Sequence, residues 1–167
     1  GGGVYLENSD SNFLNTTVSA NMSDFGGGLY FKYSDLSFIN SILWGNDDWQ
    51  AVFNAEWGDD DGSMSHLSIY SGVVQDGLDG ISNENNWGII TGNPPILESP
   101  LFIEPLYPDQ YDDPTIDGDF HLSSLSPCID TGNPESQLDL DGTISDMGAY
   151  PYDQIENPIA YHDKLYF

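Results

Sequence analysis

An internal repeat near the N-terminus constrains the fold of this chain more than any other feature. Residues 1–6 read GGGVYL and residues 26–31 read GGGLYF, which sets an offset of 25 between the two copies. The same offset aligns residues 13–18 with residues 38–43. Because two separated blocks share one offset, we interpret them as successive copies of one structural unit.

A third copy follows the first two. Residues 36–43 align with residues 67–74 at an offset of 31 rather than 25, so the turn between them has grown. Short alternating segments with Gly or Asn at the corners, repeated every 20–30 residues, favour a parallel β-solenoid over helical repeats. The sequence therefore predicts an all-β protein.

In such a stack, equivalent residues of successive repeats lie above one another. Phe13, Phe38 and Ile69 are predicted to form an apolar ladder. Asn15 and Asn40 have two interpretations: amide side chains that bond one another along the stack, or turn residues with left-handed backbone. Both are architectural roles.

The pattern changes after about residue 80, where X-Pro pairs become frequent. This composition predicts an irregular connection followed by a Pro/Asp-rich C-terminal cap, since a repeat stack ends in an atypical unit. The proposed division is repeats in 1–80, with starts near 1, 26 and 50–57, connection and cap in 81–152, and a tail or linker in 153–167.

Charge excludes several classes of partner. The chain has 28 acidic and 2 basic residues and a formal net charge of −26, with Lys32 and Lys164 as its only Lys or Arg residues. A nucleic acid or an anionic membrane surface needs clustered basic side chains, so neither is an expected partner. No apolar run is long enough for membrane insertion. High negative charge without balancing lysine favours a secreted or cell-surface protein.

Several blocks in serial order resemble the C-terminal part of bacterial right-handed parallel β-helix repeat proteins, with a closing block similar to the choice-of-anchor Q type. The blocks are NSILWGN at 40–46, PLF at 100–102, GDFHL at 118–122, SPCIDTGNP at 126–134, DLDG at 139–142 and DMGAY at 146–150. The resemblance implies a right-handed parallel β-helix, of which about three rungs lie in this chain. It also implies export and further rungs N-terminal to this segment.

We therefore expect a non-catalytic structural stalk, adhesin-like or filament-forming module. Its N-terminal edge is expected to be covered by preceding repeats or by another copy of the chain. The alternative is a carbohydrate-binding or polysaccharide-degrading β-helix protein, either a lyase or a glycoside hydrolase. Lyase chemistry needs a base such as Arg or Lys, and Lys32 is better explained as a solvated surface residue. A hydrolase would need converging carboxylates, which the abundant aspartates leave open.

Two acidic turns are candidate calcium sites, because Ca²⁺ prefers carboxylate and carbonyl oxygens in Asp- and Gly-rich loops. The alternative is that both are solvated turns. The six candidate ligands are Asp59, Asp60, Asp61, Asp139, Asp141 and Asp146.

Trp49 and Trp57 lie in or beside the enlarged turn and are candidate glycan-binding residues, since indole faces stack on sugar rings. The alternative is that these side chains attach the long turn to the repeat.

Overall fold

The computed structural model describes residues 2–54, 64–84, 86–106 and 118–155. Within these ranges the chain forms β-strands, irregular segments and one short 3₁₀ turn, and no α-helix, so the protein is all-β as predicted. None of the described residues belongs to a helix long and apolar enough to cross a membrane. The strands are β1 (Val4–Glu7), β2 (Asp10–Leu14), β3 (Thr17–Ser19), β4 (Leu29–Lys32), β5 (Asp35–Trp44), β6 (Ala51–Asn54), β7 (Ser65–Val74), β8 (Ile81–Ser82), β9 (Gly88–Gly92), β10 (Phe102–Glu104) and β11 (Asp119–Leu122).

The first nine strands form two parallel sheets. The first sheet has the order β1-β4-β6-β8, and the second has the order β2-β5-β7-β9, with β3 pairing with the C-terminal part of β5. Among these nine strands, β2 and β3 both pair with β5, and otherwise successive strands alternate between the two sheets. A separate antiparallel pair is formed by β10 and β11.

Strand register confirms the sequence repeat. Val4 pairs with Leu29 and Asp10 with Asp35, both at the predicted offset of 25. Asp35 then pairs with His66 at the predicted offset of 31. The predicted apolar ladder is present, since Phe38 pairs with the equivalent residue of β2 on one side and of β7 on the other.

Parallel pairing does not stop at residue 80, where the sequence analysis placed the change of pattern. The short strand β8 pairs with β6, and β9 pairs with β7 from Ser65↔Gly88 to Ile69↔Gly92. Ile96 continues this layer through a bridge to Val73. The parallel sheets thus extend by one further layer, β8 and β9, beyond residue 80, and the Pro-rich composition begins after that layer.

Both sheets contribute to one apolar core. Strands β4 and the first half of β5 bury alternate residues, as expected for strands with one face against a core. The buried members of this first cluster are Leu6, Val18, Leu29, Phe31, Leu36, Phe38, Leu43, Ala51, Phe53, Leu67, Ile69, Val74 and Ile81.

Asn15 and Asn40 satisfy both interpretations given to them. Their φ angles are 48° and 46°, in the left-handed region that Asn tolerates better than most residues. The Asn40 side-chain amide also donates to the Asn15 side-chain oxygen over 3.4 Å. The bend at Asn40 changes the burial pattern of β5, from alternating before it to continuously buried from Asn40 to Leu43.

This bend explains where the C-terminal segment packs. After it, Leu43 joins the first core while Ile42 and Val73 belong to a second cluster with Cys128 and Met147. Residues 126–148 therefore lie against the outer side of β5 and β7, whereas the sequence analysis expected this segment to cap the last strands. Apolar side chains on both faces of a strand need cover on both sides, and the C-terminal segment provides the second cover.

Candidate functional site

The turn between β5 and β6 places Trp49 at a surface groove. Gly45 and Asp48 both have positive φ angles, of 68° and 60°, which produce a tight turn. The Trp49 carbonyl accepts a hydrogen bond from the backbone N–H of Gly28 in the preceding repeat, at 3.4 Å. Trp49 is half-buried in this position, so part of its side chain remains accessible.

The groove has a volume of about 340 Å³ and combines aromatic and acidic side chains. Phe25, from the turn before β4, and Trp87, from the turn before β9, line it together with Trp49. Phe25 is 70% exposed, whereas Trp87 packs against the first core. The carboxylates in the lining are Asp24, Asp48 and Glu84.

Sequence reasoning identified Trp49 and missed Phe25 and Trp87. Phe25 lies in the turn before β4 and Trp49 in the turn before β6. Leu29 pairs with Ala51, and this offset aligns Trp49 with Gly27, so the repeat did not indicate Phe25 itself. Trp87 lies in a region without a recognisable repeat, so no sequence signal indicated it either. Trp57 is outside the described residues, so its glycan-binding role remains a prediction.

Of the three predicted calcium ligands that the structure describes, Asp146 is the most buried, at 1% exposure. Its carboxylate accepts backbone N–H hydrogen bonds from Asp130 at 2.7 Å and from Tyr152 at 2.6 Å. Burial raises the pKa of this carboxyl to about 6, although the two N–H donors oppose the rise. Asp146 thus ties three parts of the C-terminal segment together.

Asp139 and Asp141 also accept hydrogen bonds from the backbone. Asp139 accepts the N–H of Asp146 at 2.7 Å, and burial raises the pKa of its carboxyl. Asp141 accepts both the side-chain O–H and the backbone N–H of Thr143, which lower the pKa of its carboxyl. The three aspartates act as acceptors that shape the turns of this segment.

Within the part of the chain that the structure describes, no group of three or more His, Cys, Asp or Glu side chains is placed to hold a metal ion. Asp59, Asp60 and Asp61 lie outside the described residues.

Cys128 is fully buried, and burial raises the pKa of its thiol to about 11, so it remains a neutral core residue.

A second surface depression, of about 350 Å³, lies on the outer face of β2, β5 and β7. Asp10 and Asp35 line it as register partners on neighbouring strands. The Asp35 carboxylate lies 2.9 Å from Nδ1 of His66, which is also in the lining. The two carboxylates therefore project from strands about 4.8 Å apart.

Comparison with protein-family models yields no match, and neither curated proteins nor solved structures match the chain.

Proposed function

We propose that the chain is a structural segment of a right-handed parallel β-helix, a stiff stalk-like, adhesin-like or filament-forming module of an exported protein. The observation that supports this best is the in-register repetition along the parallel sheets. Each strand from β1 to β7 pairs in parallel with the equivalent strand of the next repeat, which is the arrangement that a solenoid requires. Parallel crossovers are almost always right-handed, which favours that hand here.

Side chains repeat along with the backbone. Tyr5 stacks on Tyr30 with ring centroids 5.1 Å apart and an interplanar angle of 10°. Ser34 receives the Ser9 N–H at its hydroxyl over 3.1 Å and donates its own N–H to the Ser65 hydroxyl over 3.0 Å. The serine contact recurs between successive repeats, and Tyr30 pairs with Val52 on its other side. Such contacts support stiffness along the stacking direction.

The N-terminal edge supports the proposed partner. Within the described ranges, β1 pairs only with β4 and β2 only with β5, so each leaves one backbone edge for another strand. Open parallel edges favour addition of further strands. We propose preceding repeats of the same protein, or a second copy of the chain, as the occupant.

Sedimentation velocity over a concentration series, with electron microscopy of the same samples, tests this proposal. We expect end-to-end association that increases with concentration. Tyr5→Asp breaks the stacked ladder at the edge and adds charge, and should reduce association. Tyr150→Asp is the matched control, since Tyr5 and Tyr150 are 52% and 47% exposed. Equal association of the two variants would contradict docking at this edge.

The second candidate function is polysaccharide hydrolysis, which the Asp10 and Asp35 pair favours. Retaining glycosidases place two carboxyl groups about 5–5.5 Å apart, close to the spacing of adjacent strands. Release of reducing ends from a polysaccharide panel, abolished in Asp35→Asn, would replace the structural proposal. Absence of release by the wild-type chain on every member would remove this candidate.

A further inference from the structure

We propose that the groove lined by Trp49, Phe25 and Trp87 binds an organic cation, a quaternary or alkyl ammonium group presented by a partner molecule. This function is separate from the structural role and does not depend on it. The three aromatic side chains come from turns before β4, β6 and β9, so only the folded protein brings them together.

Size and composition suit a small group. At about 340 Å³ the groove lies at the lower end of the range for small-molecule sites, about 300–1,000 Å³. Val52 and Phe53 add apolar surface to the lining. A group of trimethylammonium size can contact several of these side chains at once, which a flat surface would not allow.

Charge selects the ligand class. Asp24, Asp48 and Glu84 line the groove, and the described residues of its lining include no Lys or Arg. Lys32 lies in an ion pair with Glu7 at 2.8 Å. Carboxylates repel anions, whereas a cation gains both from these charges and from the negative faces of aromatic rings. A neutral sugar would gain only hydroxyl hydrogen bonds and ring contacts, so the geometry favours the cation over the glycan predicted from Trp49.

Isothermal titration calorimetry with choline at a fixed, near-physiological salt concentration tests the proposal. The comparison ligand is the neutral isostere in which a tert-butyl group replaces trimethylammonium. We expect choline to bind about tenfold more tightly than the isostere, the order of one cation–π contribution.

Variants separate aromatic contact from general attraction to an acidic protein. Trp49→Ala and Phe25→Ala leave every charge in place and should each weaken choline binding several-fold. Leu125→Ala is the control and should have no effect, because Leu125 is 80% exposed and is not among the residues that line the groove. Circular dichroism spectra of all variants verify that each is folded.

Three results would overturn the proposal. The first is equal affinity for choline and its isostere, which indicates apolar contact alone. The second is choline binding that both aromatic variants leave unchanged, which indicates diffuse electrostatic attraction. The third is no choline binding together with binding of a neutral oligosaccharide that Trp49→Ala removes, which assigns the groove to a glycan.

Discussion

Replacing Asn40 with alanine should weaken the joint between the parallel sheets and the C-terminal segment. The Asn40 side chain is fully buried. Its oxygen accepts the Asn133 N–H at 2.7 Å, and its amide donates to the Ser136 hydroxyl at 3.1 Å and to Asn15 at 3.4 Å. The variant loses all three hydrogen bonds and places alanine at a φ of 46°.

The expected cost is the sum of two effects. Loss of two good hydrogen bonds in a buried position costs about 2–3 kcal/mol, because the partners lose their acceptor or donor. Left-handed backbone costs alanine about 1 kcal/mol. Asn40→Ala should therefore destabilise the protein by about 3–4 kcal/mol, and Asn40→Gly, which avoids the backbone penalty, by about 1 kcal/mol less.

Urea unfolding followed by tryptophan fluorescence and circular dichroism measures these differences. Asn8→Ala is the matched control, because Asn8 has a φ of 48° but an exposed side chain. It should lose only the backbone contribution, about 1 kcal/mol. If Asn40→Ala and Asn8→Ala are destabilised equally, the Asn40 side chain does not hold the C-terminal segment, and the proposed joint is wrong.

Three further predictions concern pH, packing and calcium. Because burial raises the pKa of Asp146 from 3.8 to about 6, its protonation stabilises the folded state below pH 3.8, and this stabilisation is lost as the pH rises through 6. The difference in the free energy of unfolding is about 3 kcal/mol. Asp146→Asn, compared with wild type in urea titrations from pH 4 to 7, should remove this part of the pH dependence. The carboxylates of Asp130 and Asp139 lie nearby, and an unchanged profile in the variant would contradict the assignment of this titration to Asp146. Ile42→Ala should lower the free energy of unfolding, measured by heat or urea, by about 3 kcal/mol, because it opens a cavity under the C-terminal segment. Ile39 is half-exposed, so Ile39→Ala should lower it by about 1 kcal/mol or less. Equal losses of stability in the two variants would show that the second cluster adds no stability. Millimolar calcium should raise the melting temperature above that in chelator if the predicted acidic turns bind it, and identical midpoints would reject the calcium prediction.

The repeat is the part of the fold that could be predicted from sequence. Phe13, Phe38 and Ile69 share a ladder because the repeat offsets of 25 and 31 place them at equivalent positions. The alternation of apolar residues within strands and the offsets of 25 and 31 between copies can both be found by inspecting a single sequence. The same holds for the all-β character.

Contacts between the repeat and the C-terminal segment could not be predicted in this way. Asn40 and Asn133 are 93 residues apart, and no periodicity relates them. The lateral position of the segment follows from the outward-facing Ile42, and that orientation depends on the bend at Asn40. A sequence pattern indicates that apolar residues need cover, and it does not say which side of the sheet is open.

The sequence alone therefore determined the parallel, repeated strands and the acidity from which we predict no anionic partner, because both depend on local order and composition. Tertiary structure decided which turns meet. It joined Phe25, Trp49 and Trp87 in one groove, and it buried Asp146 as a hydrogen-bond acceptor. The physical reason is that these placements arise from packing between segments that are distant in the chain, and a sequence pattern describes only neighbouring or regularly spaced residues.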